Sequence, residues 1–227
     1  MKHFAIIVAG GSGKRMQSDL PKQFLLLKGL PIIMHSMLKF HHCRFQPEII
    51  LVLSKADRAL WEQLVRKHQF EVPHRVVEGG KERYHSVKNA LELIEEEALV
   101  AIHDAVRPLV SNKTIETAYE KAAISGSAVA AVPAKDSVRM IEGDKNSNIP
   151  RQLVYLVQTP QTFQSTLLKK AYRQPYNDNF TDDASVFEKA GFQVYLTEGD
   201  QFNFKITFPE DLRLAETILE MHKHSED

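Results

Sequence analysis

The chain has 227 residues, of which 43% are hydrophobic and 26% are charged, as in an ordinary protein with a sizeable core. Its 29 Lys and Arg residues balance its 29 Asp and Glu residues, which argues against nucleic acid or an anionic membrane as a partner. No apolar run approaches the roughly 18 residues of a membrane span. The first apolar run has only five residues, so we expect no signal peptide. A single cysteine, Cys43, excludes an internal disulfide and favours a cytoplasmic location.

Strand-like and helix-like segments alternate along most of the chain. Apolar runs predict strands at 4–8, 48–53, 75–77, 100–103 and 128–132, and the segments between them predict helices at 31–40, 56–68, 86–97 and 113–125. This alternation is typical of a mainly parallel, twisted sheet that is covered by helices on both faces. We therefore expect an α/β protein of the Rossmann-like type, in which residues 1–227 form a single domain.

The alternation breaks between about 134 and 153. The chain is polar there, and Gly143-Asp144-Lys145-Asn146 is typical of a tight turn, so we interpret the segment as an inserted β-hairpin arm. An arm with an apolar flank and no core of its own usually packs against a partner, so we expect a homodimer built through it. Beyond the arm, the pattern predicts a helix at 165–173, strands at 193–196 and 204–207, and a last helix at 209–221.

The stretch after the first predicted strand, AGGSGKRM at 9–16, is suited to a phosphate chain. Its three glycines let backbone N–H groups approach an anion, and Lys14, Arg15 and Lys22 add positive charge. Two better-known phosphate loops do not fit. The dinucleotide fingerprint needs Gly or Ala where Met16 stands, which argues against a nicotinamide-dependent dehydrogenase. The ATP-type loop needs Ser or Thr where Arg15 stands.

Two further polar clusters, GGKER at 79–83 and DAVRP at 104–108, also follow predicted strands. Because the carboxyl ends of parallel strands meet at one edge of a sheet, we expect a ligand site at that edge. Asp104 is placed like a carboxylate that holds Mg²⁺ on bound phosphates, although it could instead cap a helix or pair with Arg107. His103 points the other way along its strand and is expected to be packed.

The pattern alone leaves two basic residues open. Lys205 lies between the apolar residues Phe204 and Ile206, so it occupies the opposite face of the predicted strand. That position suits a solvated lysine as well as a functional one. Arg151 is similarly ambiguous when it is read in isolation.

Six motifs together carry a resemblance to a known family. They are AGGSGKRM at 9–16, PKQ at 21–23, HDAVRP at 103–108, TPQ at 159–161, TDDAS at 181–185 and NFKIT at 203–207. In this order and spacing the chain resembles the 2-C-methyl-D-erythritol 4-phosphate cytidylyltransferases, the CTP-using enzymes of the non-mevalonate isoprenoid pathway. The resemblance spans nearly the whole chain, with Lys81 as a departure, since many relatives have an acidic residue there.

The resemblance implies a Mg²⁺-dependent transferase. CMP would pass from CTP to 2-C-methyl-D-erythritol 4-phosphate, giving 4-diphosphocytidyl-2-C-methyl-D-erythritol and pyrophosphate. The phosphate oxygen would attack directly and in line, without a general base, so catalysis would depend on positioning and charge stabilisation.

The resemblance also assigns roles by motif position. The catalytic residues would be Arg15, Lys22 and Lys205. The CTP-binding residues would be Ala9, Gly10, Gly11, Gly13, Gly80, Arg83, Ser86, Asp104 and Ala105. The residues for the polyol phosphate would be Arg107, Arg151, Thr159, Thr181 and Asp182. Asp104 would also serve the metal, and each active site would be shared with the partner subunit through the arm.

Two other functions stay open at this point. A ribitol 5-phosphate cytidylyltransferase shares the nucleotide half of such a site, but its relatives tend to lose Ser86, the TDDAS motif and Arg151. A non-catalytic nucleotide-binding regulator on the same fold would be expected to lose the charged set, which here is complete: Arg15, Lys22, Asp104 and Lys205.

Overall fold

The computed structural model describes residues 1–10, 16 and 20–223, with side chains as far as 221. In chain order the strands are β1 (Lys2–Val8), β2 (Leu26–Leu27), β3 (Leu30–Pro31), β4 (Glu48–Leu53), β5 (His74–Glu78), β6 (Ala98–Asp104), β7 (Ser127–Pro133), β8 (Val138–Glu142), β9 (Lys145–Ile149), β10 (Tyr155–Gln164) and β11 (Leu196–Glu198). The helices are α1 (Ile32–His42), α2 (Arg58–Lys67), α3 (Arg83–Leu91), α4 (Asn112–Ser125), α5 (Ser165–Ala171), α6 (Asp183–Lys189) and α7 (Pro209–Lys223).

A seven-stranded sheet in the order β11-β7-β10-β6-β1-β4-β5 forms the centre of the molecule. Neighbouring strands are parallel except at β10, which runs antiparallel to both β6 and β7. The prediction of a mainly parallel α/β sheet is therefore confirmed. Strong apolar runs produce this arrangement, because a strand that is buried on both faces needs mostly apolar side chains. Every residue of β6 is buried, and the strand is apolar from Ala98 to Ile102.

Alternate residues of β1 face two different cores. Ala5 and Ile7 pack with residues of α1 and α4, whereas Phe4 and Ile6 pack with residues of α3, α5 and α6. This period of two is the strand geometry that the apolar run predicts. Helices therefore cover both faces of the sheet, and its carboxyl edge is left to the loops that follow the strands.

Several elements differ from the prediction, and three of them bear on the site. The antiparallel strand β10 was missed, because Pro160 cannot donate to a ladder and so argues against a central strand; the register shift between Val157 and Gln161 accommodates it. Helix α3 begins at Arg83 and ends at Leu91 rather than covering 86–97. The predicted strand at 204–207 is wrong: this segment lies in no strand, and Ile206 N donates to Val106 O at 2.9 Å.

The polar segment after β7 contains a hairpin. Strands β8 and β9 form a two-stranded antiparallel sheet of their own, with Val138 opposite Ile149 and Gly143 in its turn at a φ of +59°. Ile141 on this hairpin is 76% exposed. The role of the hairpin in dimerisation stays a prediction.

Candidate active site

A cavity of about 240 Å³ lies at the carboxyl ends of β1 and β6, where the sequence predicts the ligand site. Predicted site residues from five separate segments of the chain line it together. They are Ala9, Gly10, Gly80, Arg83, Ser86 and Asp104, which are predicted to bind CTP, and Lys22 and Lys205, which are predicted to be catalytic. Gly11, Gly13 and Arg15 belong to the same predicted site but lie outside the described residues.

Asp104, the last residue of β6, lies among three cationic side chains. Its Oδ2 lies 3.0 Å from Lys205 Nζ and 3.4 Å from Arg107 Nε, and its Oδ1 lies 3.7 Å from Arg83 Nε. Burial by itself would raise the pKa of Asp104, but the charges of Lys205, Arg83 and Arg107 outweigh it and hold that pKa well below its ordinary value. Asp104 is therefore a carboxylate at any physiological pH.

Lys22 reaches the same place from the other end of the chain. Its side chain is buried, and its Nζ donates to Ile206 O at 3.2 Å. Because Ile206 directly follows Lys205, this hydrogen bond brings the two predicted catalytic lysines to one neighbourhood. A second side chain also holds the segment 203–207, since Arg107 Nη1 donates to Asn203 O at 2.8 Å.

The loop after β5 forms the opposite wall of the cavity. Gly80 N–H donates to Ser86 Oγ at 3.1 Å, and Ser86 Oγ–H donates to Glu82 O at 3.2 Å, so the loop is folded back onto the first turn of α3. A Cβ on Gly80 would stand 2.3 Å from His85 Cβ, a separation that real side chains do not tolerate. The tight fold of this wall therefore requires glycine at position 80.

Replacing Gly80 with alanine is expected to lower the free energy of unfolding by about 2 kcal/mol, the usual effect of forcing an extra methyl group into a packed site. The matched control is Gly10→Ala, since among the described residues a Cβ on Gly10 meets nothing closer than Ser86 Oγ at 3.9 Å. Urea denaturation of both variants measures the difference. Equal stabilities would contradict the close contact at His85.

The backbone amides of two predicted nucleotide-binding residues already have acceptors within the protein. Ala9 N–H donates to Val52 O and Ala105 N–H donates to Val8 O, both at 3.0 Å. The carbonyl of Ala9 in turn accepts from Gln23 Nε2 at 3.0 Å. These bonds hold the ends of neighbouring strands together and set the floor of the cavity.

The residues predicted to bind the polyol phosphate do not all lie in one place. Asp182 caps α6, with Oδ1 accepting from Ser185 N–H at 2.8 Å and Oδ2 accepting from Gln161 Nε2 at 2.9 Å. Thr181 beside it is exposed. Arg151 is exposed near the foot of the hairpin, where its Nη1 donates to Lys135 O at 2.8 Å. Arg107 lies at Asp104, as described above, and so does Thr159.

His103 links Thr159 to the Asp104 turn through a short chain of hydrogen bonds. Asp104 N–H donates to Thr159 Oγ1 at 3.1 Å, and His103 Nε2 lies 3.1 Å from Arg107 O, which can only accept. The proton of His103 therefore sits on Nε2, and Nδ1 accepts from the Thr159 hydroxyl at 3.0 Å. His103 is fully buried, as expected of a packed residue, and it joins the turn after β6 to β10.

Burial lowers the pKa of His103 from 6.5 to about 4. Between these values the unfolded chain binds a proton that the folded protein does not, so stability falls as the pH drops through this window. From pH 7 to pH 5 this residue is expected to lower the free energy of unfolding by about 2 kcal/mol. Urea denaturation at the two pH values checks this, with His103→Gln as the non-titrating control. An identical pH dependence of the two proteins would refute it.

Sequence reasoning missed two polar residues that shape the site. Asp183, at 0% exposure, binds Arg83, and Asn203, also at 0%, donates through Nδ2 to Thr159 O at 2.8 Å. Asp183 is the second acid of TDDAS and the first residue of α6, a position where acidic residues are common because they complement the helix dipole. Its burial depends on distant partners, so no local pattern could have shown it.

The chain has an open, mainly parallel α/β sheet with a cation-rich cavity at its carboxyl edge. These features are typical of the α/β proteins that bind phosphorylated ligands at that edge. The sequence model of the family described as 2-C-methyl-D-erythritol 4-phosphate cytidylyltransferase (IspD) matches residues 3–221. The chain belongs to this family, which confirms the resemblance seen in the motifs.

Individual proteins agree with the family model. The chain is 47% identical to the 2-C-methyl-D-erythritol 4-phosphate cytidylyltransferase of Porphyromonas gingivalis, over 96% of this chain and 98% of that protein. It is 44% identical to the enzyme of that name from Bacteroides thetaiotaomicron, over 96% and 100%. The crystal structure of 4-diphosphocytidyl-2C-methyl-D-erythritol synthase from Anaerococcus prevotii superimposes with a TM-score of 0.82 at 28% identity, covering 96% of each chain.

Proposed function

We propose that this chain transfers CMP from CTP to 2-C-methyl-D-erythritol 4-phosphate, giving 4-diphosphocytidyl-2-C-methyl-D-erythritol and pyrophosphate. Family membership over nearly the whole chain supports a cytidylyltransferase. The observation that carries the proposal is the meeting of Lys22, Asp104 and Lys205 at one cavity, although these residues come from three distant parts of the chain.

The proposed reaction is a direct, in-line displacement at the α-phosphorus of CTP. A bond forms between a phosphate oxygen of the polyol phosphate and the α-phosphorus, while the bond from the α-phosphorus to the bridging oxygen breaks and pyrophosphate leaves. The attacking oxygen is already an anion, so no side chain has to remove a proton. What remains for the protein is to hold two anionic substrates together and to stabilise the charge that builds at the phosphorus.

The positive charges around the cavity suit that task. Lys22 and Lys205 line the cavity together, and Arg15 is assigned to the same phosphates by its place in the glycine-rich motif. The chain carries the two lysines on a fixed frame, since Lys205 is paired with Asp104 and Lys22 is bound to a backbone carbonyl. Charges that are already in place need no reorganisation during the reaction, which is the main source of electrostatic catalysis.

The residues present fit a Mg²⁺ ion that arrives with the nucleotide. The described residues contain no group of three or more His, Cys, Asp or Glu side chains that could hold a metal by themselves. Mg²⁺ on phosphates commonly takes only one or two carboxylates and keeps waters in its other positions. We propose Asp104 as that carboxylate. When bound, the ion would neutralise phosphate charge and stabilise the leaving pyrophosphate.

We propose that the two substrates approach from different sides. The Gly80–Ser86 wall and the end of β1 would take the cytosine and ribose, because close backbone contacts favour a small pyrimidine. Thr181, with Arg107, would face the polyol phosphate. Arg151 would serve the site of the partner subunit, since it stands near the foot of the exposed hairpin.

The homodimer is tested by removing the hairpin. Deleting residues 138–149 is expected to reduce the mass in light scattering from that of two chains, each 25.9 kDa at full length, to that of one shortened chain. The exposed apolar side chains Met140 and Ile141 support this expectation, because they find no core in the two-stranded sheet itself. A second variant, Ile141→Asp, keeps the hairpin and is expected to weaken the same association. An unchanged mass for both proteins would end the proposal.

A cytoplasmic location is proposed on the state of the one cysteine. Cys43 is a free, buried thiol, which suits a reducing compartment. Within the described ranges, no helix is both long enough and apolar enough to cross a membrane.

Pyrophosphate release from CTP tests the function. The purified chain is incubated with CTP, Mg²⁺ and either 2-C-methyl-D-erythritol 4-phosphate or ribitol 5-phosphate in parallel reactions. Release with the methylerythritol phosphate, and little with the ribitol phosphate, is expected. The reverse preference would indicate a ribitol 5-phosphate cytidylyltransferase. CTP binding without release in either reaction would indicate a nucleotide-binding regulator.

A further inference from the structure

Arg83 is shared between two carboxylates from different parts of the chain. Its Nη2 donates to Asp183 Oδ2 at 2.6 Å, and its Nε lies 3.7 Å from Asp104 Oδ1. Asp104 lines the cavity, whereas the side chain of Asp183 is fully buried and cannot touch a ligand. The Arg83 side chain is 29% exposed and also lines the cavity, so it connects a buried acid to the site.

Asp183 is itself held on its second oxygen. Tyr172 Oη donates to Asp183 Oδ1 at 2.6 Å, and burial raises the pKa of Tyr172 well above its ordinary value, so this phenol stays a donor. The ring of Tyr172 stacks on Tyr84 with centroids 4.9 Å apart, and Tyr84 Oη donates back to Tyr172 O at 2.9 Å. Tyr84 directly follows Arg83, so the same aromatic pair fixes both ends of the Arg83–Asp183 bond.

This arrangement decides which carboxylate the guanidinium prefers. A guanidinium carries its N–H donors in one rigid plane, so fixing Nη2 at Asp183 also fixes the direction of the rest of the group. Without Asp183, Arg83 would turn towards the remaining acid, Asp104. It would then compete there with Lys205, which lies 3.0 Å from the same carboxylate.

We propose that Asp183, held by Tyr172, is a positioning residue that keeps the Arg83 guanidinium on the nucleotide wall of the cavity. The Arg83–Asp183 pair sets the affinity for CTP, and it leaves the Asp104 carboxylate available to Lys205. This inference rests on the proposed function, because it assigns Arg83 to the nucleotide rather than to the second substrate.

The variant Asp183→Asn tests the proposal, since it keeps the shape of the side chain and removes its charge. The expected result is a rise of about 10-fold in KM for CTP, with KM for the polyol phosphate changed by less than about two-fold, because a small misplacement of a binding group is costly. Tyr172→Phe removes only the supporting hydrogen bond, and it is expected to raise KM for CTP in the same direction by a smaller factor.

Two further proteins separate positioning from a structural effect. Ser185→Ala breaks the capping box of the same helix without touching Arg83, so it is expected to lower stability and leave KM for CTP unchanged. In an Arg83→Gln background, Asp183→Asn is expected to have no additional effect on KM for CTP, since Asp183 acts through Arg83.

Equal rises in both KM values, or the same rise in the Arg83→Gln background, would overturn the proposal. Titration calorimetry of CTP and Mg²⁺ against the wild type and Asp183→Asn keeps this test independent of turnover. If the wild type binds CTP but makes no product, the proposed function fails while the positioning role is still measured. If the two proteins bind CTP equally well, the positioning role fails by itself.

Discussion

Replacing Lys22 with alanine is expected to lower kcat by about 100-fold or more, as the loss of one preorganised electrostatic group typically does. The Lys22 side chain is 7% exposed and lines the cavity, so its charge acts where little water screens it. The reaction that we propose gathers negative charge at the α-phosphorus in the transition state. A fixed cation at that point therefore favours the transition state over the bound substrates, which predicts a larger effect on kcat than on either KM.

The measurement is single-turnover product formation with saturating CTP and polyol phosphate. Lys113→Ala serves as the matched control, because its side chain is 79% exposed and its contact with Glu198 is a surface pair. Urea denaturation shows whether the Lys22 variant is still folded, since the substitution also removes the donor to Ile206 O. A folded Lys22→Ala protein with a normal kcat would remove this lysine from the catalytic set.

Lys22 also illustrates what the sequence could predict. The apolar run before Gly10 predicts β1 and its direction, and the direction of β1 and β6 puts residues after each strand at one edge of the sheet. These inferences need only local periodicity and the geometry of parallel strands. That Lys22 binds Ile206, 184 residues away, could be expected only from the family motifs, because no local pattern encodes a contact over that separation.

Lys205 and Asp183 show the opposite limit. The alternation around Lys205 correctly predicts a buried Ile206 and a more exposed lysine, but it also predicts a strand that the structure does not contain. The segment is held instead by side chains such as Arg107, which donates to the carbonyl of Asn203, and such bonds leave no periodic pattern in the sequence. Asp183 looks like a solvated helix acid in the sequence, since the arginine that justifies its burial lies 100 residues earlier.

The balance of charge at Asp104 follows from the same long-range contacts. Arg83, Arg107 and Lys205 would repel one another if they stood alone around the cavity. Asp104, which contacts all three, makes their approach possible, together with Asp183 on Arg83. The site is therefore positive enough to attract a triphosphate and yet stable without one. Because Asp104 contacts three cations, its replacement is expected to affect both stability and turnover.

Replacing Asp104 with asparagine is expected to lower the free energy of unfolding by about 3 kcal/mol, because removing one partner leaves the other buried charges uncompensated. The amide has nearly the same shape, so packing is kept while the negative charge is lost. Turnover is expected to fall by about 100-fold or more, since both Lys205 and Arg107 lose the contact that orients them.

Urea denaturation at pH 7 and pH 3 measures the stability effect and its cause together. The pKa of Asp104 is lowered in the folded protein, so this residue contributes stability above the unfolded value of 3.8 and loses it as the pH falls through the folded value. The advantage of the wild type over Asp104→Asn is therefore expected to shrink at pH 3. Asp144→Asn, which removes an equal charge from the exposed turn of the hairpin, is expected to change stability little at either pH. If the wild type and the Asp104→Asn protein were equally stable at pH 7, the three cations would be compensated by some other group, and the carboxylate would have to be assigned to ligand binding alone.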